Sequence, residues 1–256
     1  MNTSGKTLLG KVSLVTGGNG GIGFSMALGL AKAGSRVVIA GRNVSKGAEA
    51  VRLLEQTGGT CRFIELDISD ESACAQAIED LTRSEGRLDI LVNNAGINVR
   101  RAPEIFDLDD WHRIIQINLT AAFVCAKSAY PALKASGNGK IINIGSMTSI
   151  FGASFAPAYG ASKGGIVQLT RSLAVAWAKD NIQVNAILPG WIDTDLGASA
   201  RQEVEGLDQK VMARTPAGRW GLGEDFEGIT AFLAGPGSNF ITGTAIPVDG
   251  GYSISG

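Results

Sequence analysis

The feature that most restricts this chain is an alternation running along its length: short apolar, β-branched runs, each followed by a segment with helical spacing. Val12–Thr16, Val37–Ala40, Cys61–Leu66, Asp89–Val92, Lys140–Ile144, Gln183–Ile187 and Thr244–Val248 read as strands. Phe24–Ala33, Val44–Gln56, Glu71–Ser84, Leu108–Tyr130, Pro157–Ala178 and Glu224–Leu233 read as the helices between and around them. Strands that are apolar on both faces belong in a parallel sheet covered on each side. The pattern therefore predicts an α/β fold, a Rossmann-like doubly wound parallel sheet of about seven strands with helices on both faces. No linker, repeat or low-complexity tract divides the chain, so a single domain over 1–256 is expected. The irregular stretch Trp191–Gly223, rich in Gly, Asp and Arg, is expected to form a binding loop or lid.

Composition removes several function classes. Hydrophobic residues at 45% and charged residues at 18% describe a folded chain, not a disordered one. A net charge of −1 leaves no basic excess for nucleic acid or an anionic membrane. No apolar run of about 18 residues is present to cross a bilayer, and Met1–Lys11 is polar, without a signal-peptide stretch. A cytoplasmic protein is expected. Cys61, Cys74 and Cys125 are odd in number and form no C-x-x-C, which argues against a disulfide framework or thiolate zinc site. The single His112 makes a histidine metal site or a Ser-His-Asp triad hard to build. Metal-free chemistry is the expectation.

Glycine is in excess, and its placement matters. Thr16-Gly17-Gly18-Asn19-Gly20-Gly21-Ile22-Gly23 lies between the first strand and the first helix. There the backbone can turn tightly and bring a pyrophosphate to a helix N-terminus. An ordinary turn would use the same glycines, but the position after the first strand favours a dinucleotide. The second strand ends Ala40-Gly41-Arg42-Asn43, without the carboxylate that would accept hydrogen bonds from a free ribose 2′-hydroxyl. Gly41 leaves space, and the Arg42 guanidinium suits a 2′-phosphate. NADP(H) is thus preferred, with NAD(H) the alternative. Asp67, after the third strand, either faces the adenine or caps the next helix.

Tyr159 and Lys163 stand four apart, on one face of a predicted helix. An ammonium there would stabilise phenolate and draw the tyrosine pKa down toward neutrality, letting it exchange a proton with an alcohol oxygen. Ser146, just past a strand end, can either hold the substrate oxygen or cap a turn. Asn118 interrupts an apolar helix, where asparagine is unfavourable. It either kinks the helix and holds a water behind the lysine or packs against a turn.

Together Thr16-Gly17-x-x-x-Gly21-Ile22-Gly23, Asn93-Asn94-Ala95-Gly96, Asn118, Ser146, Tyr159-x-x-x-Lys163 and Pro189-Gly190 resemble the short-chain dehydrogenase/reductases, in order and over nearly the whole length. The resemblance implies a catalytic set of Asn118, Ser146, Tyr159 and Lys163. Tyr159 would be the acid/base, Ser146 would orient the carbonyl, Lys163 would also hold the nicotinamide ribose, and Asn118 would complete a proton relay. It implies cofactor contacts from Gly17, Asn19, Gly20, Gly21, Ile22, Gly23, Arg42, Asn43, Asp67, Ile68, Asn94, Ala95, Gly96, Pro189, Gly190, Ile192 and Thr194, beside Tyr159 and Lys163. NADP-preferring members often carry a basic residue just before the second motif glycine; here that position is Gly20, so Arg42 alone supports NADP. The resemblance also implies a homotetramer built on the two long helices and the last strand.

Substrate is less constrained. Ser146-Met147-Thr148-Ser149, Arg100-Arg101 after the Asn-Asn-Ala-Gly run, and Arg214–Gly221 resemble the sugar-acid branch of that family, the gluconate 5-dehydrogenases and 2-deoxy-D-gluconate 3-dehydrogenases. The expected substrate contacts are Ser146, Thr148, Tyr159, Arg101 and Trp191, on a polyol or sugar acid. Arg100, Arg101, Arg214 and Arg219 either clamp a carboxylate or are solvated and interfacial. Trp191 and Trp220 frame the expected lid. The alternatives are a 3-oxoacyl thioester reductase and a nonenzymatic NADP(H) sensor. Sensors of this fold often lose the catalytic Tyr or Lys, and this chain keeps both.

Overall fold

In the computed structural model, which describes residues 6–255, seven strands form one sheet: β1 (Val12–Thr16), β2 (Arg36–Gly41), β3 (Cys61–Glu65), β4 (Ile90–Asn93), β5 (Gly139–Ile144), β6 (Ile182–Pro189) and β7 (Ala245–Val248). Their order is β3-β2-β1-β4-β5-β6-β7, and each pair is parallel. The chain reverses direction of travel between β1 and β4, and ligands bind outside the carboxyl ends of strands at such a point. The Met1–Lys11 start and the outer limits of 1–256 are described only from Lys6 to Ser255.

The strands pair as their composition demands. All five residues of β1 and all eight of β6 are buried, so both faces are covered and their few polar side chains, such as Ser13 and Asn185, are hydrogen-bonded. One apolar layer holds Leu30, Ile39 and Phe226; the other holds Leu14, Ile78, Leu81 and Leu133. Each such side chain contributes about 1.5–3 kcal/mol on burial, which is what locks the register.

Helices α1 (Gly21–Lys32), α2 (Val44–Glu55) and α3 (Glu71–Glu85) follow the first three strands. Asn43 caps α2 through Lys46 N at 2.9 Å, and Asp70 caps α3 through Ala73 N at 2.9 Å. The long helix expected over 108–130 runs further, as α4 (Leu108–Ile115), a π turn (Gln116–Thr120) and α5 (Ala121–Ala135). The wide turn sits where Asn118 directs its amide inward to a backbone loop, a usual setting for such a bulge. Then come α6 (Pro157–Trp177), α7 (Asp195–Glu203), α8 (Leu207–Arg214) and α9 (Glu227–Ala234).

Trp191–Gly223 is thus not irregular: it contains α7 and α8. Thr194 caps α7 by accepting from Gly197 N at 3.3 Å, and Gly206 turns into α8 at φ +67°. Both helices are short and polar, so their apolar period is faint, yet Ala200, Leu207, Val211 and Trp220 form a small core of their own.

At the amino edge of the sheet, buried Asp89 accepts two bonds from Arg87 (2.7 and 2.6 Å), one from Lys11 Nζ (3.1 Å) and one from Val12 N (2.9 Å). Burial would raise this carboxyl, but the donors outweigh it and hold the group below its ordinary value. A depressed folded pKa means the contribution is complete above the unfolded value, about 3.9, and fades as pH falls through the folded one. Asp89→Ala, which strands the Val12 N–H and two cations, is expected to lower stability by about 3 kcal/mol at pH 7. Urea denaturation should show that gap narrowing below about pH 4.

Candidate active site

The cleft begins with two hydrogen-bonding side chains that join β1 to β4. Thr16 Oγ1 donates to Val92 O (3.3 Å) and accepts from Asn94 N (3.0 Å) and Ala95 N (3.2 Å). The Asn94 amide donates to Thr16 O (3.0 Å) and Gly17 O (3.2 Å). The glycine loop is pressed against this staple. A Cβ on Gly17 would lie 3.0 Å from Ala95 Cα, and one on Gly23 would collide with the Asn94 amide and the Gly17 carbonyl. Gly20, by contrast, faces open space. It precedes α1 without a side-chain cap, and the first turn of α1 carries no acidic residue. Free N–H groups and the helix dipole therefore face the cleft, which is the donor set a pyrophosphate requires.

The other end of the cleft is built from α6 and the β5–α6 turn. Ser146 is fixed by a capping box: its Oγ accepts from Thr148 N (3.2 Å), while Ser149 Oγ accepts from Ser146 N (3.2 Å). Ser149 Oγ also donates to Lys163 O at 2.7 Å, tying that turn to α6. Lys163, buried, donates from Nζ to Ile144 O at 2.8 Å and lies 5.6 Å from the Tyr159 ring centroid. Burial pushes the Lys163 ammonium down to about 8.

Tyr159 departs from the expected direction. Burial pushes its phenol up; the neighbouring Ser146 hydroxyl and the Arg100 charge pull it down without overcoming that effect. Lys163 gives its hydrogen bond to a backbone carbonyl and does not set the balance. The balance favours the protonated phenol.

Asn118 stands behind the cleft. Its Oδ1 accepts from Ile97 N (2.8 Å), and its Nδ2 donates to Ile97 O (2.9 Å) and Ser162 Oγ (3.1 Å). The amide clamps the segment that follows β4, and the long helix widens where it does so. Every residue expected at the cofactor lines one continuous cleft of about 840 Å³, as do Ser146, Thr148, Tyr159, Lys163 and Trp191. Asp67 reaches its edge, accepting from Ser69 N and Oγ (2.9 and 2.8 Å), while Asp70 takes the capping role. Asn19 fills the space expected beside Gly41, where a Cβ would lie 2.9–3.0 Å from its amide.

Arg101 is not in the cleft. It is exposed and lies 3.7 Å from Asp110. In an extended segment neighbouring side chains face opposite ways, and it is Arg100 that enters. Its side chain is 8% exposed. It donates to Ser199 Oγ (3.3 Å), Glu203 Oε2 (3.1 Å) and Leu196 O (3.2 Å), all on α7. Arg214 stacks between Phe151 and Tyr252, and Arg219 pairs with Asp225 at 2.7 Å; neither lines the cleft.

These features meet in known proteins. A family model described as enoyl-(acyl carrier protein) reductase matches residues 17–253. The chain belongs to the short-chain dehydrogenase/reductase family. A 2-dehydro-3-deoxy-D-gluconate 5-dehydrogenase from Dickeya dadantii is 40% identical over 96% of each chain. A cis-4-hydroxycyclohexanecarboxylate dehydrogenase from Sinomonas cyclohexanicum is 37% identical, covering 97% of this chain and 99% of that protein. The crystal structure of a gluconate 5-dehydrogenase from Burkholderia cenocepacia, in complex with NADP and tartrate, superposes with a TM-score of 0.93 at 35% identity over all of both chains.

Lys46 in the cleft and Thr16 behind it are not singled out by the sequence, and of the pair Arg100-Arg101 only the structure separates the residue that enters the cleft. Lys46 is in the first turn of α2, four residues past Arg42, a spacing that was the available signal. Thr16 was quoted within the glycine motif, but its staple depends on β4 lying beside β1, which local sequence does not reveal. Gly23→Ala should weaken dinucleotide binding about tenfold or more by forcing Asn94 off the loop. Gly228→Ala, at an exposed helix position with nothing within 4 Å, should leave binding unchanged; fluorescence titration checks both.

Proposed function

We propose that the protein interconverts a secondary alcohol and a ketone on a carboxylate-bearing polyol, a sugar acid, with NADP(H). One observation carries the substrate class: the buried Arg100 guanidinium lines the cleft close enough to Tyr159 for its charge to lower the phenol. Arg100 keeps N–H donors beyond those given to α7, so a substrate carboxylate placed there would hold the carbon chain with its carbonyl at Tyr159. Thr148 Oγ1 and Asn98 Oδ1 are buried without partners among the described residues, and both residues line the cleft. A substrate carrying several hydroxyls would supply those partners; an acyl chain would not. The relatives' names point the same way, toward hydroxy acids.

The cofactor reading rests on the same residues. Gly17–Gly23 fits a pyrophosphate, Thr194 lies opposite Gly21 (3.6 Å to a Cβ there), and Arg42 lines the cleft just past β2, where no carboxylate is present to hold a free 2′-hydroxyl. When bound, the nicotinamide group supplies or accepts the hydride. The chain does the rest. Ser146 Oγ, held by its capping box, donates to the substrate oxygen. Tyr159, in its protonated form, passes its proton to that oxygen as the ketone is reduced and takes it back in the reverse direction. The Lys163 ammonium stabilises the phenolate left behind and is itself steadied by Ile144 O. Trp191, edge-on to Trp220 with centroids 5.6 Å apart, covers the substrate side.

Two further elements of the reading stand on surface and core. Phe123 on α5 and Val175 on α6 are exposed, as are Phe240 and Ile254 near β7; a homotetramer would cover them, with light scattering as the check. The three cysteines are free thiols, in keeping with a cytoplasmic setting.

The deciding experiment follows reduced-nicotinamide absorbance with NADPH and NADH, each against 5-keto-gluconate and an acetoacetyl thioester. NADPH with the keto acid should turn over fastest. Arg100→Ala should raise the keto-acid KM by about tenfold or more and leave NADPH binding intact. Preference for the thioester would move the protein to acyl reduction. Tyr159→Phe should abolish turnover while NADPH still binds; substantial residual turnover would remove Tyr159 from the mechanism.

A further inference from the structure

The ribose end of the cleft holds charges that the fold alone does not require. Four charged residues line it: Arg42 in the β2–α2 turn, Lys46 on the first turn of α2, Asp67 after β3 and Asp195 at the start of α7. They form two pairs. Arg42 lies 3.9 Å from Asp67, and Lys46 Nζ lies 3.2 Å from Asp195 Oδ2. All four side chains are largely exposed, with Asp195 at 98%. Among the described residues, the Lys46–Asp195 pair is the one ion pair that joins α2 to the lid helix α7.

We propose that Lys46 is a second reader of the 2′-phosphate of NADP(H), beside Arg42, and that Asp195 on the lid competes with that phosphate for the Lys46 ammonium. The inference rests on the NADP(H) reading above and deepens it.

Geometry places Lys46 for this. Asn43 Oδ1 accepts from Lys46 N and from Ser45 Oγ, so the first turn of α2 is anchored to the end of β2, where the ribose belongs. Asn19 occupies the space beside Gly41 and also reaches Asn43 O at 3.5 Å. No carboxylate stands at the β2 end to hold a free 2′-hydroxyl, and two cations flank the place.

Energetics favour the exchange. An exposed ion pair contributes about 0–1 kcal/mol, so Asp195 holds Lys46 weakly. A phosphate monoester carries about −1.5 to −2 charge at neutral pH and offers three acceptor oxygens. It can accept from Lys46 and Arg42 together, whereas Asp195 engages Lys46 alone. Without the phosphate, the four side chains sum to zero charge; with it, both cations gain a stronger partner, and the first turn of α7 is released from α2. NADH, lacking the phosphate, leaves the Lys46–Asp195 tie in place.

The test is equilibrium binding of NADPH and NADH by quenching of tryptophan fluorescence, since Trp191 lines the cleft. Wild-type protein is expected to bind NADPH more tightly than NADH. Lys46→Ala should weaken NADPH about tenfold, one charge-assisted hydrogen bond, and move NADH less than about twofold. Lys46→Arg should restore the preference. Asp195→Asn should tighten NADPH about threefold and have no effect once Lys46 is alanine. Equal losses for both cofactors in Lys46→Ala, or an NADPH loss under about twofold, would overturn the phosphate role and leave Lys46 as a lid tether only. An Asp195→Asn protein with unaltered NADPH affinity would overturn the competition. A wild-type protein that does not prefer NADPH would bring down the NADP(H) reading and the Lys46 role with it. A preserved preference with an unaffected Lys46→Ala would overturn Lys46 alone.

Discussion

Two parallel strands that part company need something to hold them at the point of parting. Here it is Thr16 and Asn94, whose side chains knit the ends of β1 and β4 through five short bonds. Backbone groups at that position have left the sheet ladder and would otherwise be unpartnered in a half-buried crevice. Once they are satisfied, the glycine loop has a wall to rest on. The contacts at Gly17 and Gly23 are so close that no larger residue fits, and the start of α1 is fixed with its amides toward the cleft. The donor-lined end of the cleft is thus a by-product of joining β1 to β4.

The chemical end uses the same device, side chains spent on backbone. Asn118 holds Ile97, Ser149 holds Lys163 O, and Lys163 holds Ile144 O. Each bond joins elements far apart in sequence. Ser146 and Tyr159 line the cleft while their neighbours absorb the local hydrogen-bonding demand. The π turn belongs to this arrangement: by widening the long helix at Gln116–Thr120 it brings Asn118 in without breaking the helix on either side.

Much of this was legible in the sequence. A strand buried on both faces cannot hide its composition, and β1, β2, β4, β5 and β6 stood out for that reason. The Tyr159–Lys163 spacing needs only a helix to make sense, and the glycines needed only a strand before them. What was not legible depends on neighbours. The helices α7 and α8 are capped by Thr194 and Gly206, but their short polar faces make no clear period. Arg100 and Arg101 are adjacent residues of one type, and only the fold shows which of them enters the cleft. The direction of the Tyr159 shift required knowing how deeply the ring is covered. The space beside Gly41 looked open until Asn19 was seen to occupy it.

The small core beneath α7 and α8 has a consequence for how such a protein changes over generations. Ala200, Leu207, Val211 and Trp220 pack on one another, with Trp191 and Val204 beside them, rather than on the layers that cover the sheet. A replacement in this segment disturbs a local cluster and leaves the scaffold intact. This segment can therefore drift while the sheet and α6, which carries Tyr159, stay as they are. One scaffold can thus accept revision of this segment without losing its sheet.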